Sequence, residues 1–352
     1  MAEILGLGMT HYTGLRFDDE GMSIFLRRTL KGSDVPAGMK DPANWPRPMR
    51  EEWADDMGAA AAAVHRKRHW DAFTRMKGEI DAFAPDFVVM WGDDQYENFL
   101  EDIVPPFCAY IADEFVSTPH RQNPERPDPP NAWDEPEDMA FTHRGHPEGA
   151  AWLVEKLSER GIDIPYAYRL RHDRGLAHAF INTLLFLDHA RTGFAHPLVP
   201  VHVNCYGGEL IRTRGGSRAP GEEDRRRDPP APSARACFDL GRGIARVLAE
   251  SPWRVALVAS SSWSHAFLTA KNHWIYPDHA GDRKRLEELR EGRFAEWRDL
   301  THEEIEDAGQ HEFRNWICLA GAMTELGADV EIVDYMESWV LNSNKCFAVM
   351  RP

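Results

Sequence analysis

Four apolar runs in this sequence end in polar residues capable of chemistry. ILGLGMTH ends in His11, DFVVMWGDDQ in Asp93, Asp94 and Gln95, LVPVHVNCY in Asn204 and Tyr206, and WRVALVASSSWSH in Ser264 and His265. Each is weak alone, because a histidine after a strand is more often structural than a ligand, and an Asp-Asp pair usually makes a turn or a cap. Together they are informative, since the carboxyl ends of strands form the ligand crevice of an open α/β sheet. A fifth residue, Glu312 in AGQHEFRNWICLAGAM, lies one helical turn before Trp316 on a face marked by Phe313, Trp316 and Leu319. An acid there caps, pairs or binds something. With histidines at two strand ends, a mixed imidazole and carboxylate metal site is the economical reading. Two histidines and one carboxylate with open positions suit non-haem Fe(II).

Competing motifs fail. The serines Ser260 to Ser262 have no glycine frame for a nucleophile elbow. GLGMTH lacks the spacing of a dinucleotide fingerprint, and no P-loop occurs. In HRKRH, His65 and His69 are four apart on a helix with no acid between them. That run reads as a solvated basic face.

These residues need a scaffold. The 352 residues carry 43% hydrophobic and 28% charged side chains, enough for a sizeable core. Lys and Arg total 41 against 57 Asp and Glu, a formal charge of −16, which argues against a nucleic-acid partner. No membrane span and no targeting segment is read, and five cysteines without CxxC spacing suit a reducing, cytoplasmic setting. The apolar runs above predict buried strands, joined by ADVEIVDYM and KCFAVMRP near the end. Helices are predicted over about 51–83, over LAHAFINTLLFLDHA, over SARACFDLGRGIARVLAES and across roughly 283–326. The alternation implies one α/β domain over residues 1–352, with a central mixed, largely parallel sheet flanked by helices. Two stretches break the rhythm. Residues 117–148 are crowded with Pro, Asn, Asp and His and read as a surface excursion; 209–234 are too polar to bury and read as a mobile loop or a lid.

MTHYTG, WGDDQYENFLEDIVPPFCAYIADEF, GLAHAF, VPVHVNCY, PSARACFDLGRGI, SSWSHAF, GQHEFRNWICLAGAM and LNSNKCFAVMRP occur in the order seen in class III extradiol dioxygenases. The sequence resembles the protocatechuate 4,5-dioxygenase β-subunit family over nearly its whole length, the two excursions excepted. The resemblance implies a non-haem Fe(II) centre, with Mn(II) as the alternative, that opens a catecholic or gallate-like ring with O2. It implies His11 and Glu312 as metal ligands, His265 as the acid/base and His178 as a second active-site histidine. It also implies Asp94, Tyr96, Asn204 and Tyr206 as substrate contacts, and it leaves room for a homodimer.

One position departs from the family. Where its members carry a second iron-binding histidine, this chain has Gln95 in GDDQ, a form associated with a branch similar to methylated-gallate dioxygenases. Either Gln95 supplies its carbonyl oxygen, or Asp93 or Asp94 replaces it, or a histidine such as His65 or His69 does, or the metal is lost. Two rival functions follow: a metal-dependent hydrolase on the same scaffold, and a non-catalytic binding protein.

Overall fold

The computed structural model describes residues 3–123, 127–172, 175–208, 211, 213 and 228–352. In chain order its elements begin with β1 (Ile4–Met9), α1 (Ile24–Thr29), α2 (Arg47–Trp53), α3 (Ala59–Phe83) and β2 (Phe87–Gly92). They continue with β3 (Phe107–Tyr110), β4 (Glu114–Ser117), β5 (Phe141–Arg144), α4 (Pro147–Glu159), β6 (Tyr166–Ala167), α5 (His178–Leu187) and β7 (Leu198–Val203). The last third holds α6 (Ala234–Ala249), β8 (Val255–Ser260), α7 (His279–Arg290), α8 (His302–Asp307), α9 (Arg314–Leu326), β9 (Asp329–Met336) and β10 (Lys345–Arg351).

Eight strands form one sheet in the order β6-β3-β7-β2-β8-β1-β10-β9. Its centre, β7-β2-β8-β1, is parallel throughout, while β3 joins β7, and β10 joins β1 and β9, antiparallel. Every residue of the four central strands is buried, as expected of parallel strands covered on both faces. Alternate side chains feed two cores: Val89 and Trp91 pack in one with α4, α6 and α9, and Val88 and Met90 in the other with α3 and α5. The mixed, largely parallel α/β sheet read from the sequence is the architecture found.

The glycines of ILGLGM have a packing reason. A Cβ on Gly8 would lie 2.2 Å from the Trp316 ring, and one on Gly6 would lie 2.4 Å from the Met323 sulfur. Bare backbone at both positions lets α9 lie directly on β1. Glu312, just before α9, is thereby brought beside His11, just after β1.

Several details differ from expectation. The helix read over 51–83 is α2 and α3 separated by a turn in which Ala54, Met57 and Gly58 all have positive φ. The run 283–326 is likewise several helices broken by short 3-10 turns at Phe294–Asp299 and His311–Phe313. The 117–148 excursion begins at the end of β4, which pairs with β5, and it is stitched to the turn after His11. Ala132 N–H donates to the Arg16 carbonyl at 2.7 Å, and Asp18 N–H to the Pro130 carbonyl at 3.0 Å. Most of the 209–234 loop lies outside the described residues. Among those described, no helix is long and apolar enough to cross a membrane.

Candidate metal centre

The carboxyl ends of β1, β2 and β8 converge. His11 follows β1, Asp93 follows β2, His265 follows β8, and the 3-10 turn His311–Phe313 presents Glu312 from the facing layer. All four are buried.

The imidazole orientations are set by carbonyls. His11 Nδ1 lies 3.0 Å from the Ser260 carbonyl oxygen, which can only accept, so Nδ1 carries the proton and Nε2 a lone pair. His265 Nδ1 is held the same way by the Trp263 carbonyl at 3.0 Å. Both Nε2 atoms then face one oxygen: Glu312 Oε2 is 3.1 Å from His11 Nε2 and 3.3 Å from His265 Nε2. Asp93 Oδ1 is 3.8 Å from His11 Nε2. Neither Glu312 Oε2 nor Asp93 Oδ2 has a hydrogen-bond partner among the described residues. Buried acceptors turned toward one another repel unless a cation sits between them.

The donor set fits a metal ion. Ligand atoms of His11, Asp93, His178 and Glu312 all lie within 4.8 Å of one another. A separation of 3.1 Å between Nε2 and Oε2 suits neighbouring donors on one ion, whose bonds are roughly 2.1 Å long. The electrostatics agree. Burial, then the charge of Glu312, pushes Asp93 up to about 7, so the pair resists carrying two negative charges unaided. Burial also opposes ionisation of Glu312, and its carboxyl is held well below the usual range chiefly by positive charge at His265 and His11, charge that a cation between them would supply with both imidazoles neutral.

The trio at the end of β2 divides its labour. Asp93 joins the cluster. Asp94 accepts from the backbone N–H groups of Glu97 at 2.8 Å and Asn98 at 2.8 Å, so it shapes the loop, and it is not in the group whose ligand atoms converge. Gln95 directs its amide nitrogen, not its carbonyl, to Glu312 Oε1 at 3.1 Å, and the same nitrogen donates to the Tyr206 hydroxyl. Tyr206 in turn donates to Glu312 Oε1 at 2.5 Å. Gln95 and Tyr206 thus grip one oxygen of Glu312 and leave the other facing the histidines.

His178 opens α5 and meets the His11 ring edge-on, with centroids 4.9 Å apart. Its partner, Glu97, was not singled out in the sequence. Glu97 accepts from His178 Nδ1 and from its backbone N–H, both at 2.9 Å. Burial alone would lower the His178 pKa; the Glu97 carboxylate outweighs it and raises the group to about 10.

Other residues expected at the substrate make hydrogen bonds within the chain. Asn204 Oδ1 accepts from Gly207 N–H at 2.8 Å and forms the turn that presents Tyr206. Tyr96, at φ 63°, sends its hydroxyl to Glu101, 2.8 Å away. His65 and His69 are not a solvated face: both are buried on the inner side of α3, while Arg66, Lys67 and Arg68 pair outside with Asp19, Asp71 and Asp334. Neither belongs to the metal-binding group.

Comparison with known proteins meets this geometry. Residues 228–344, which include His265 and Glu312, match the LigB family, the catalytic LigB subunit of aromatic ring-opening dioxygenase. A 2,3-dihydroxyphenylpropionate/2,3-dihydroxicinnamic acid 1,2-dioxygenase of Paraburkholderia phymatum is 26% identical over 280 residues, covering 73% of this chain and 81% of that protein. Enzymes of the same name from Rhodococcus rhodochrous and Cupriavidus necator are 25% and 23% identical over 291 residues. They cover 73% and 75% of this chain, and 82% and 85% of their own lengths. Residues 228–344 therefore match a LigB-family domain, and over about three-quarters of its length the chain is similar to aromatic ring-opening dioxygenases.

Proposed function

We propose that this protein is a metal-dependent extradiol dioxygenase that opens the ring of a small catecholic compound, with Fe(II), or Mn(II), held by His11, Glu312 and Asp93. The observation that carries this reading is the convergence of two imidazole Nε2 atoms on the orphaned Glu312 Oε2, with Asp93 Oδ1 3.8 Å from His11 Nε2, all of them buried. An oxygen-rich set with imidazole suits Fe(II) or Mn(II) rather than a thiolate-seeking metal. When bound, the ion supplies Lewis acidity and a common binding place for the catechol oxygens and O2.

The protein's own groups do the rest. His265, its Nδ1 fixed by the Trp263 carbonyl, offers Nε2 to take a phenolic proton and return it. His178, anchored through Nδ1 by Glu97, presents its other nitrogen to a substrate oxygen. Tyr206 and Gln95 orient Glu312 through its Oε1.

The test is reconstitution with Fe(II) under argon, followed by oxygen uptake against catechols, gallates, their methyl ethers and 2,3-dihydroxyphenylpropionate. Uptake equal to substrate consumed, with a yellow ring-opened product, is the expected result. Protein that holds iron yet consumes no O2 with any of them contradicts the dioxygenase reading; hydrolytic turnover without O2 would then favour the hydrolase. Protein that binds no iron contradicts the metal centre itself.

A further inference from the structure

Behind the metal centre lies a second acid that touches none of its groups. Asp282, on α7, is fully buried. Its Oδ1 accepts from Gln310 Nε2 at 2.6 Å and from the Ser264 backbone N–H at 3.2 Å. Its Oδ2 accepts from Asn344 Nδ2 at 2.7 Å and again from Ser264 N–H at 3.1 Å. Three separate segments therefore meet on one carboxylate, and two of them carry site residues. Ser264 immediately precedes His265, and Gln310 lies two residues before Glu312.

The third segment closes the arrangement. Asn344 accepts through its carbonyl from Trp263 N–H at 3.0 Å, and Asn342 does the same for Ala266 N–H at 2.6 Å. The loop 342–344 thus brackets His265 from the side opposite Gly309, whose carbonyl accepts from His265 N–H at 2.9 Å. Ser264 adds a further tie, donating its hydroxyl to the Ala308 carbonyl at 2.5 Å. The facing atoms of His265 and Glu312 are 3.3 Å apart.

We infer that Asp282 is a positioning residue that sets the distance between His265 and Glu312 by binding the backbone before one and the side chain before the other. This rests on the reading of those two groups as acid/base and metal ligand. Only a carboxylate meets the demand, because every group facing it is a donor. An asparagine would offer one acceptor oxygen and turn an N–H2 toward other N–H groups.

The experiment uses the full chain and three variants: Asp282→Asn, His265→Gln and the double variant. Iron affinity, measured anaerobically without substrate, is expected to fall about 10- to 100-fold in D282N, the range for losing a group that orients a metal ligand. At saturating iron, kcat is expected to fall by a similar factor with KM within about threefold. In the His265→Gln background the same change should cost little further rate, since the two residues act as a unit. A lowered Tm with iron affinity and kcat of the folded protein unchanged would overturn the inference, making Asp282 a stability residue. Equal rate losses in both backgrounds would overturn it as well. If the wild type shows no turnover, the dioxygenase reading fails while iron affinity still decides the role of Asp282.

Discussion

Two of the buried clusters of titratable groups are built with opposite polarity. Around Glu312, acceptors face acceptors: His11 and His265 point Nε2 at its Oε2, and Asp93 adds another unpartnered oxygen. Around Lys345, the donor's hydrogen bonds are already met. Its Nζ donates to the Leu341 carbonyl at 3.0 Å and to the Ser343 carbonyl, and it sits 4.0 Å above the Tyr12 ring. The nearby Glu52 accepts from Ser338 Oγ at 2.5 Å and Trp339 N–H at 2.6 Å.

The histidines register the contrast. Beside Glu97, His178 is raised to about 10 against the pull of burial; on α3, burial and then Lys345 lower His65 to about 3. Burial is common to both, so the sign of the neighbouring charge decides the outcome. A buried cluster with an excess of acceptors calls for a cation from outside, whereas one whose charges are satisfied internally is architecture.

The largest effect should separate the two clusters outright. Glu312→Gln should abolish catalysis and lower iron affinity by at least about 100-fold, with the fold kept. Glu52→Gln should leave iron content unchanged and cost about 1–3 kcal/mol of stability, since a buried hydrogen-bonded carboxylate is weakened. Iron retained after gel filtration and thermal melts of both proteins give the answer. A Glu312→Gln protein that keeps its iron would erase the distinction.

A finer test lies within one dipeptide. Asp93→Asn should weaken iron binding about 10- to 100-fold while changing stability little, because Asp93 Oδ2 has no partner to lose and Oδ1 accepts only a long hydrogen bond, 3.4 Å from Asn315 Nδ2. Asp94→Asn should do the reverse, keeping iron and losing about 1–2 kcal/mol as the caps on Glu97 and Asn98 weaken. Urea melts and iron titrations of the two variants should cross. Parallel losses would mean that both aspartates serve the same purpose.

That dipeptide also marks where sequence reading stops. His11, His265 and Glu312 were legible because each follows or precedes an apolar run whose period fixes its place. Asp93 and Asp94 are identical neighbours; only the backbone turn after Gly92 sends one inward and ties the other to amides. Glu97 was invisible because its partner His178 lies 81 residues away. The central strands read clearly as fully buried runs, whereas β4 and β6 span only four and two residues, too few for their alternation to stand out. In HRKRH the charged majority masked two histidines that lie on the inner face of α3.

The matched cluster should reveal itself through pH. Burial lowers the Lys345 pKa from 10.5 to about 7, partly offset by Glu52. A depressed folded-state pKa means that the stability tied to this group is present above pH 10.5 and is lost as pH falls through about 7. Lys345→Met removes that dependence. The Tm of the wild type should therefore drop more than that of the variant between about pH 9.5 and pH 7, and identical pH slopes would show that Lys345 stays charged in the folded protein, as it is in the unfolded chain, throughout.

The smallest effect belongs to the outer face of the same helix that buries His65 and His69. Lys67 and Asp71 form an i,i+4 ion pair at 2.6 Å, with side chains 78% and 66% exposed. Water screens both charges, and holding two long side chains in register costs rotamer entropy, so the net gain is small. Lys67→Ala should change stability by no more than about 0.5 kcal/mol and leave iron affinity and turnover untouched. A loss of several times that size would mean that α3 depends on its surface charges, and the division between a solvated outer face and a packed inner one would have to be redrawn.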